Sequence, residues 1–304
     1  MKVLVVGGSG FVGGYSAIDL HDKGHDVTIM SRSKPSGNSR LNELKFVQGD
    51  YVNERFDDGR LDGYNWLVFS AGSDFSDLPQ DGTVSEEEFF KRANIEALPR
   101  FFEQAKKSGI ERSVYMGSFY SFVAPENIEK IPYIRSRHES DEAVRLLSSD
   151  TFNICSLALP CIVGFVPGRV VGHWQTLAQY ARIGLEGAPE FAPPGGVNFM
   201  TCQAVAEATL GGLERGESGK SYLIGDENLT WKAFFELWFE AAGRPRDLEV
   251  RLGHPIMPDF TLSYISFGIS DYDPPADETA LLGYKRGDLR AEVERCADYY
   301  SNLS

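Results

Sequence analysis

The sequence predicts an α/β fold in which a doubly wound parallel sheet is joined to a smaller C-terminal lobe. The chain opens with a short apolar run, Val3 to Val6, that is typical of a strand buried on both faces. A glycine cluster follows at once, and further short apolar runs then alternate with stretches of helical periodicity. This alternation is typical of parallel strands that are connected by helices.

Composition limits the classes of function. The 304 residues, 42% of them hydrophobic, suffice for one large domain or for a domain with a smaller lobe. A net charge of −14 has the wrong sign for a protein that binds nucleic acid or anionic membrane. No apolar run approaches the roughly 18 residues of a membrane-spanning helix, so we expect a cytoplasmic protein without membrane contacts. The four cysteines form no CxxC pair, which predicts free thiols and no metal site.

The glycine cluster has the spacing Gly7-x-x-Gly10-x-x-Gly13. The first glycine allows a tight turn, the second a close approach to a pyrophosphate, and the third close packing of helix against sheet. The N–H groups at the start of the new helix would face the anion. The turn therefore predicts a dinucleotide site, with a glycine-rich turn that binds nothing as the alternative. Besides the three glycines, the residues of this turn predicted to contact the dinucleotide are Ser9, Phe11 and Val12.

The second predicted strand, Asp26 to Met30, bears on the choice of cofactor. NAD sites usually place an acidic residue after this strand, whereas this chain has Ser31, Arg32, Ser33 and Lys34. A guanidinium flanked by hydroxyl groups suits a 2′-phosphate, so Ser31 and Arg32 favour NADP, with NAD as the alternative cofactor. The alternative interpretation is that Arg32 lies in a turn with its side chain in solvent and contacts no cofactor.

Three further strands complete a Rossmann-type sheet. They are predicted at Leu44 to Val47, Trp66 to Phe69 and Ser113 to Met116, and a long helix is predicted from Phe89 to Ser108. After the third strand, Asp50 can reach the adenine amino group, with Tyr51 beside it. After the fourth strand, small residues allow the backbone to pass close to the cofactor. These residues are Ser70, Ala71 and Gly72.

The order of these motifs, together with Asn94, Ser118, Tyr133-x-x-x-Arg137 and Leu159-Pro160, resembles the extended short-chain dehydrogenase/reductases, the NAD(P)-dependent epimerase/dehydratase family. The resemblance covers nearly the whole chain. It implies that Tyr133 is the acid/base, that Ser118 binds the reacting oxygen, that Asn94 organises the helix near Tyr133 and that Pro160 lies at the cofactor.

Arg137 departs from the family, which normally has lysine at this place. Arginine keeps the positive charge that favours phenolate but has a different shape. Three interpretations stay open: arginine substitutes adequately, the chemistry is altered or slow, or the chain binds a cofactor without turnover. Tyr120 is a rival acid/base, because it follows Ser118 by two residues.

We expect a dinucleotide-binding domain over residues 1–165 and mainly a substrate lobe over 166–304, with about 196–224 returning to the Rossmann sheet. Thr230 is a predicted N-cap for a helix of core aromatic residues. The resemblance also suggests a homodimer.

The predicted function is an NADP-dependent reductase or dehydrogenase that acts on a carbonyl or secondary alcohol of a small, partly apolar substrate. The stretch from Val197 to Gln203 lacks the charged cluster of sugar-nucleotide enzymes, so an epimerase or dehydratase is the second hypothesis. A non-catalytic NADP(H) sensor is the third.

Overall fold

The computed structural model describes residues 1–79, 81–187, 189–265 and 267–303. The strands of this described chain are β1 (Lys2–Val6), β2 (Asp26–Ser31), β3 (Lys45–Gln48), β4 (Trp66–Phe69), β5 (Arg112–Ser118), β6 (Asn153–Leu159), β7 (Cys161–Val163), β8 (Gly196–Thr201), β9 (Ser221–Leu223) and β10 (Glu227–Thr230). The α-helices are α1 (Phe11–Asp22), α2 (Glu86–Phe90), α3 (Ala97–Lys107), α4 (Tyr120–Val123), α5 (Pro132–Arg145), α6 (Gly172–Ile183), α7 (Cys202–Arg215), α8 (Trp231–Ala241), α9 (Asp259–Ser263), α10 (Ala276–Leu282) and α11 (Leu289–Ser301). Short 3₁₀ turns lie at Arg40–Glu43, Phe75–Asp77 and Pro125–Asn127, and a π-helical turn lies at Lys91–Glu96.

The main sheet confirms the predicted Rossmann-type fold. Within the described residues it has seven strands in the order β3-β2-β1-β4-β5-β6-β9, and every neighbouring pair is parallel. Strand β1 lies between β2 and β4, so the strand order reverses beside β1. The loops that follow these strands therefore meet at the carboxyl edge of the sheet, which is where open α/β sheets bind ligands.

Both faces of the main sheet are covered by helices. Val3 and Val5 of β1 pack into a core with residues of α1 and α7. Leu4 and Val6 point to the opposite face, into a core with residues of α3 and α5. Because both faces are buried, the strand is apolar at successive positions rather than at alternate ones.

A smaller sheet begins immediately beyond the main one. Strand β6 ends at Leu159, Pro160 follows, and β7 continues into a sheet with the order β10-β8-β7. Strands β7 and β8 are parallel, whereas β8 and β10 are antiparallel. Helices α6, α8 and α11 pack against this sheet around an aromatic core that includes Trp174, Phe199 and Trp238.

The segment 196–224 returns to the main sheet only in part, which corrects the predicted boundary. Strand β8 belongs to the small sheet, whereas α7 packs on the main sheet and β9 pairs with β6. All six residues of β8 are buried. Strands of both sheets are enclosed in this way, so the burial of β8 does not identify the sheet that it joins.

The helix predicted over Phe89 to Ser108 consists of α2, the π-helical turn and α3. The π turn inserts an extra residue into the helical ladder, and such turns often lie at functional sites. The predicted N-cap of α8 is confirmed, because Thr230 Oγ1 accepts a hydrogen bond from the Ala233 N–H at 3.1 Å. The aromatic residues Phe234, Phe235 and Trp238 of that helix are core residues, as predicted.

Candidate functional site

The glycine turn between β1 and α1 is shaped by close backbone contacts. Gly7 has a φ of +81°, and its N–H donates to Met30 O at 2.9 Å. A Cβ at Gly13 would overlap Ser70 Oγ and would lie 2.7 Å from Gly7 O, so this glycine lets α1 pack against the end of β4. Gly10 is the N-cap residue of α1, which has no side-chain cap and no acidic residue in its first turn. Its first N–H groups are therefore not occupied by a capping side chain of the protein.

A cleft of about 370 Å³, called here the dinucleotide cleft after its predicted ligand, opens at this turn. It brings together most of the predicted cofactor contacts: Gly7, Ser9, Gly10, Ser31, Arg32, Asp50, Tyr51, Ser70, Ala71 and Gly72. Val12 and Pro160 line a second cleft, which adjoins the first at Ser70. Phe11 instead lines an apolar pocket on the lobe side. The residues that line these spaces thus follow the carboxyl edge of the main sheet.

Arg32 carries an ion-pair partner that the sequence did not reveal. Its Nη2 lies 3.0 Å from Asp77 Oδ1, and its side chain is 73% exposed. The Ser31 hydroxyl donates to Ser33 O at 2.8 Å, which closes a small turn beside it. Asp77 belongs to the 3₁₀ turn after β4, and its proximity to Arg32 depends on the pairing of β1 with β2 and β4. A cation and an anion therefore share this end of the dinucleotide cleft.

Asp50 and Tyr51 contribute to the cleft in different ways. The Asp50 carboxylate accepts hydrogen bonds from Val52 N–H at 3.0 Å and from Asn53 Nδ2 at 2.7 Å, so it shapes its own loop. The Tyr51 side chain is buried with its hydroxyl 3.1 Å from Ser73 Oγ, and burial raises its pKa to about 12. Tyr51 therefore stays a neutral phenol at physiological pH.

The second cleft, called here the tyrosine cleft, contains three of the four predicted catalytic residues. Tyr133 lies in the first turn of α5 and Ser118 ends β5, and both residues line this cleft. Burial raises the pKa of Tyr133 above its ordinary value, and the nearby Arg137 guanidinium opposes that shift. Asp74, which sequence reasoning missed, raises the Tyr133 pKa further from the loop after β4.

Arg137 is a buried cation one helical turn beyond Tyr133. Its Nη2 donates to Met116 O at 2.7 Å, and its guanidinium lies 5.6 Å from the centre of the Tyr115 ring. A Cβ at Gly72 would overlap Arg137 Nη1, so the glycine after β4 makes room for the guanidinium. Its Nε has no hydrogen-bond partner, and no carboxylate in the described part of the chain forms an ion pair with it. The charge is therefore available to stabilise an anion in the tyrosine cleft.

Asn94, the fourth predicted catalytic residue, contacts the site through α5. It lies fully buried in the π turn, and its Nδ2 donates to Ser73 O and to Ser136 Oγ, both at 3.1 Å. Its Oδ1 accepts from Ser73 N–H at 3.1 Å, and Ser136 Oγ donates to Tyr133 O at 2.8 Å. Asn94 thus links the loop after β4 to the helix that carries Tyr133 and Arg137.

The apolar pocket has a volume of about 490 Å³ and shares Asp74, Tyr120 and Trp231 with the tyrosine cleft. Aromatic and aliphatic side chains from α6, α8 and the segment 256–265 form its walls, with no lysine or arginine among the described lining residues. His173, Trp174, Leu177, Phe234, Phe235, Ile256, Met257, Leu262 and Ile265 line it. The segment 256–265 carried no sequence motif that would have identified it as a pocket wall.

The described ranges, 1–79, 81–187, 189–265 and 267–303, contain neither a metal-binding cluster nor a helix that could span a membrane. Histidine, cysteine, aspartate and glutamate residues form no group of three or more there that could hold a metal ion. Nor does any helix in those ranges have the length and apolar character that crossing a membrane requires.

Comparison with known proteins relates this chain to dehydrogenases and epimerases. A 3-beta-hydroxysteroid dehydrogenase of Mycolicibacterium neoaurum is 30% identical over 139 residues, which are 43% of this chain and 37% of that protein. A UDP-glucose 4-epimerase of Klebsiella pneumoniae is 37% identical over 62 residues, 18% of this chain and 45% of that protein. In both cases the matched part spans less than half of the relative's length.

Solved structures share the fold over the full length. The structure of gox2253 matches with a TM-score of 0.79 at 20% identity, covering 100% of this chain and 98% of that one. A UDP-glucose 4-epimerase from Bifidobacterium longum, solved with NAD+ and UDP, matches with a TM-score of 0.76 at 16% identity, covering 99% and 98%. The sequence profile of the NAD dependent epimerase/dehydratase family matches residues 3–181, which is more than half of the chain. The chain therefore belongs to the NAD dependent epimerase/dehydratase family.

Proposed function

We propose that this protein is an NADP-dependent oxidoreductase that interconverts a carbonyl group and a secondary alcohol on a small, partly apolar substrate. The observation that carries the proposal is the position of the tyrosine cleft. Tyr133, Ser118 and Arg137 line it, and it adjoins the dinucleotide cleft on one side and the apolar pocket on the other.

The residues present fit a nicotinamide dinucleotide. A Cβ at Gly7 or Gly13 would overlap atoms of Ser70, so these glycines let the turn and the start of α1 lie close against the end of β4. The first N–H groups of α1 suit a pyrophosphate. Arg32 and Ser31 would hold a 2′-phosphate. When bound, the nicotinamide would accept or supply the hydride.

Side chains of the protein would transfer the proton. Ser118 would hydrogen bond the reacting oxygen, and Tyr133 would donate its phenol proton to that oxygen during carbonyl reduction. In alcohol oxidation the Tyr133 phenolate would take the hydroxyl proton, and the Arg137 charge would stabilise that phenolate. Arginine can supply this charge without reaching substrate, because charge stabilisation acts through space.

The apolar pocket supports the proposed class of substrate. A ring or branched chain would bury apolar surface against Trp174, Trp231 and Phe235, which is the main favourable term available in this pocket. A nucleoside diphosphate would find no lysine or arginine among the described residues of this pocket to neutralise it. The short match to a UDP-glucose 4-epimerase keeps sugar-nucleotide epimerisation as the second candidate.

Cofactor binding and turnover test the proposal together. We expect calorimetric titration to show binding of NADPH, and we expect NADPH oxidation when a panel of aromatic and aliphatic ketones is added. A cofactor that copurifies and is regenerated in each cycle would favour the epimerase. Binding of NADPH without turnover of any ketone would favour a sensor, and no binding of any dinucleotide would contradict the proposal.

We expect the two directions of the reaction to depend differently on pH. Burial raises the pKa of Tyr133, so the side chain is a neutral phenol at neutral pH and can act as an acid. Carbonyl reduction should therefore change little between about pH 6 and pH 8, because the phenol is the form that it needs. Alcohol oxidation should rise with pH, up to about tenfold per unit, because it needs the rare phenolate.

Initial rates in both directions at saturating cofactor check this expectation. The Arg137→Met variant loses the charge that opposes the rise in the Tyr133 pKa, so its oxidation profile should move to higher pH. An oxidation rate that is independent of pH would contradict the assignment of Tyr133 as the base.

The pairing of Arg32 with Asp77 leads to an expectation for cofactor choice. Arg32→Ala should weaken NADPH binding by about 10- to 100-fold, the range of a charge-assisted hydrogen bond, and should leave NADH binding unchanged. Asp77→Asn removes the competing carboxylate and should strengthen NADPH binding. Calorimetric titration of both variants checks these effects. Equal losses for NADH and NADPH in Arg32→Ala would contradict a 2′-phosphate role.

A further inference from the structure

A second arginine lines the dinucleotide cleft, and it comes from the second half of the chain. Arg169 ends a short strap, residues 166–169, that follows β7 and reaches the dinucleotide cleft. The strap packs tightly on the loop after β2, because a Cβ at Gly168 would overlap Asn38 O. Arg169 therefore approaches the cleft from the lobe, whereas Arg32 approaches it from the main sheet.

The surroundings of Arg169 are unusual for a cation. Its Nε is buried and has no hydrogen-bond partner, and no carboxylate in the described ranges forms an ion pair with its guanidinium. Burial lowers the pKa of Arg169, and no carboxylate among the described residues opposes this shift. A partly buried, unpaired guanidinium costs free energy unless an anion completes its hydrogen bonds. Arg32, by contrast, is exposed and already paired with Asp77.

The hydroxyl group of Tyr299, in α11, holds the strap in place. It accepts a hydrogen bond from Gly168 N–H at 2.9 Å, and it lies 3.1 Å from Arg169 O, to which it can donate. Val166 O is a second acceptor for the same hydroxyl, at 3.2 Å. The Tyr299 ring stacks on Phe165, with 4.2 Å between ring centres and 16° between planes. The C-terminal helix thus fixes the backbone from which Arg169 extends.

We propose that Arg169 binds a phosphate group of the dinucleotide and that Tyr299 positions Arg169 for this contact. The phosphate is either the diphosphate bridge or the 2′-phosphate of the adenine ribose, since both would lie in the cleft that Arg169 lines. The inference rests on the proposed function only in requiring that the chain binds a nicotinamide dinucleotide. It adds a contact from the lobe to a site that is otherwise built by the main sheet.

Titration of an Arg169→Met variant with NADH and NADPH tests the phosphate contact. Methionine keeps an unbranched apolar side chain in place of the arginine stem and removes the charge. We expect binding to weaken by about 10- to 100-fold. Equal losses for both cofactors identify the diphosphate, and a loss confined to NADPH identifies the 2′-phosphate. Unchanged affinity for both overturns the proposal.

The matched control is Arg290→Met, which removes an arginine that pairs with Glu240 on the surface, outside the cleft. It should leave both affinities unchanged, which accounts for any effect of net charge alone. If the wild-type protein binds no dinucleotide, the proposed function fails as well. If the wild type binds and Arg169→Met binds equally well, only this inference fails.

Tyr299→Phe tests the positioning role, because it keeps the stacked ring and removes the hydroxyl that holds the strap. We expect weaker binding of the same cofactors, by less than in Arg169→Met. In a double-mutant cycle, Tyr299→Phe should have little further effect once Arg169 is already methionine. A purely structural role for Tyr299 would weaken binding equally in both backgrounds and would overturn this part of the proposal.

Discussion

Turnover is expected to fall by about 10²- to 10⁴-fold when Tyr133 is replaced by phenylalanine, the range that a positioned acid or base contributes. The variant removes the only group of Tyr133 that can transfer a proton. It retains the ring, which packs 5.1 Å from the centre of Phe75, 5.3 Å from Phe90 and 6.1 Å from Tyr264. The fold and the affinity for NADPH should therefore be preserved. Rates under saturating cofactor, with calorimetric titration of the same sample, check the expectation.

Tyr120→Phe is the variant that discriminates between the two candidate tyrosines. Tyr120 lines the same cleft, with its ring centre 6.3 Å from that of Tyr133, but no arginine opposes the rise in its pKa. We expect a much smaller loss of turnover from Tyr120→Phe than from Tyr133→Phe. The reverse order would transfer the acid/base role to Tyr120.

The second large effect is expected at the glycine turn. A Cβ in Gly13→Ala would overlap Ser70 Oγ and would lie 2.7 Å from Gly7 O, so α1 must move away from the end of β4. Overpacking of this kind costs about 1 to 3 kcal/mol of the free energy of unfolding. Displacement of the helix start should also weaken the binding of NADH and NADPH alike, because both share the pyrophosphate. Denaturant unfolding and calorimetric titration measure the two effects.

Two further variants test whether the effect of Gly13→Ala comes from its contact with Ser70. Gly172→Ala, at the start of α6, adds a Cβ that meets nothing within 4 Å, so it should change neither stability nor binding. Ser70→Ala removes the hydroxyl that a Cβ at Gly13 would overlap, so the double variant should recover part of the loss. Wild-type affinity and stability in Gly13→Ala alone would show that α1 does not need this close approach.

The elements that the sequence predicted well are those with strong local patterns. Strand β4 was predicted at its observed bounds, because Trp66 to Phe69 is an apolar run between turn residues. Thr230 was predicted as an N-cap because it directly precedes an apolar helical stretch, and a threonine hydroxyl at that place can accept a hydrogen bond from an N–H group of the first turn. The π turn around Asn94 could not be predicted, since one extra residue hardly alters the helical spacing of apolar side chains.

The features of the candidate site also differ in whether a local sequence pattern could predict them. The glycine turn was predicted because it follows a recognisable strand, whereas the roles of Ser118 and Tyr133 were predicted from the resemblance to the family. The ion pair of Asp77 with Arg32 depends on which strands are neighbours, and no local pattern carries that information. Sequence reasoning also missed Arg169 and Asp74, because only tertiary packing brings these two residues to the clefts.

The division of the chain between two sheets has a consequence for how the protein is made. Strand β9 and helix α7 complete the main sheet, yet both are synthesised after β8, which belongs to the small sheet. Until the ribosome has added Leu223, the outer edge of β6 lacks its partner, and before α7 is made one apolar face of the main sheet lacks part of its cover. The nascent chain therefore contains β7, α6 and β8 of the lobe before the main sheet has its last strand, whereas β10, α8 and α11 follow only after that strand is made. The two halves of the protein are interleaved along the chain.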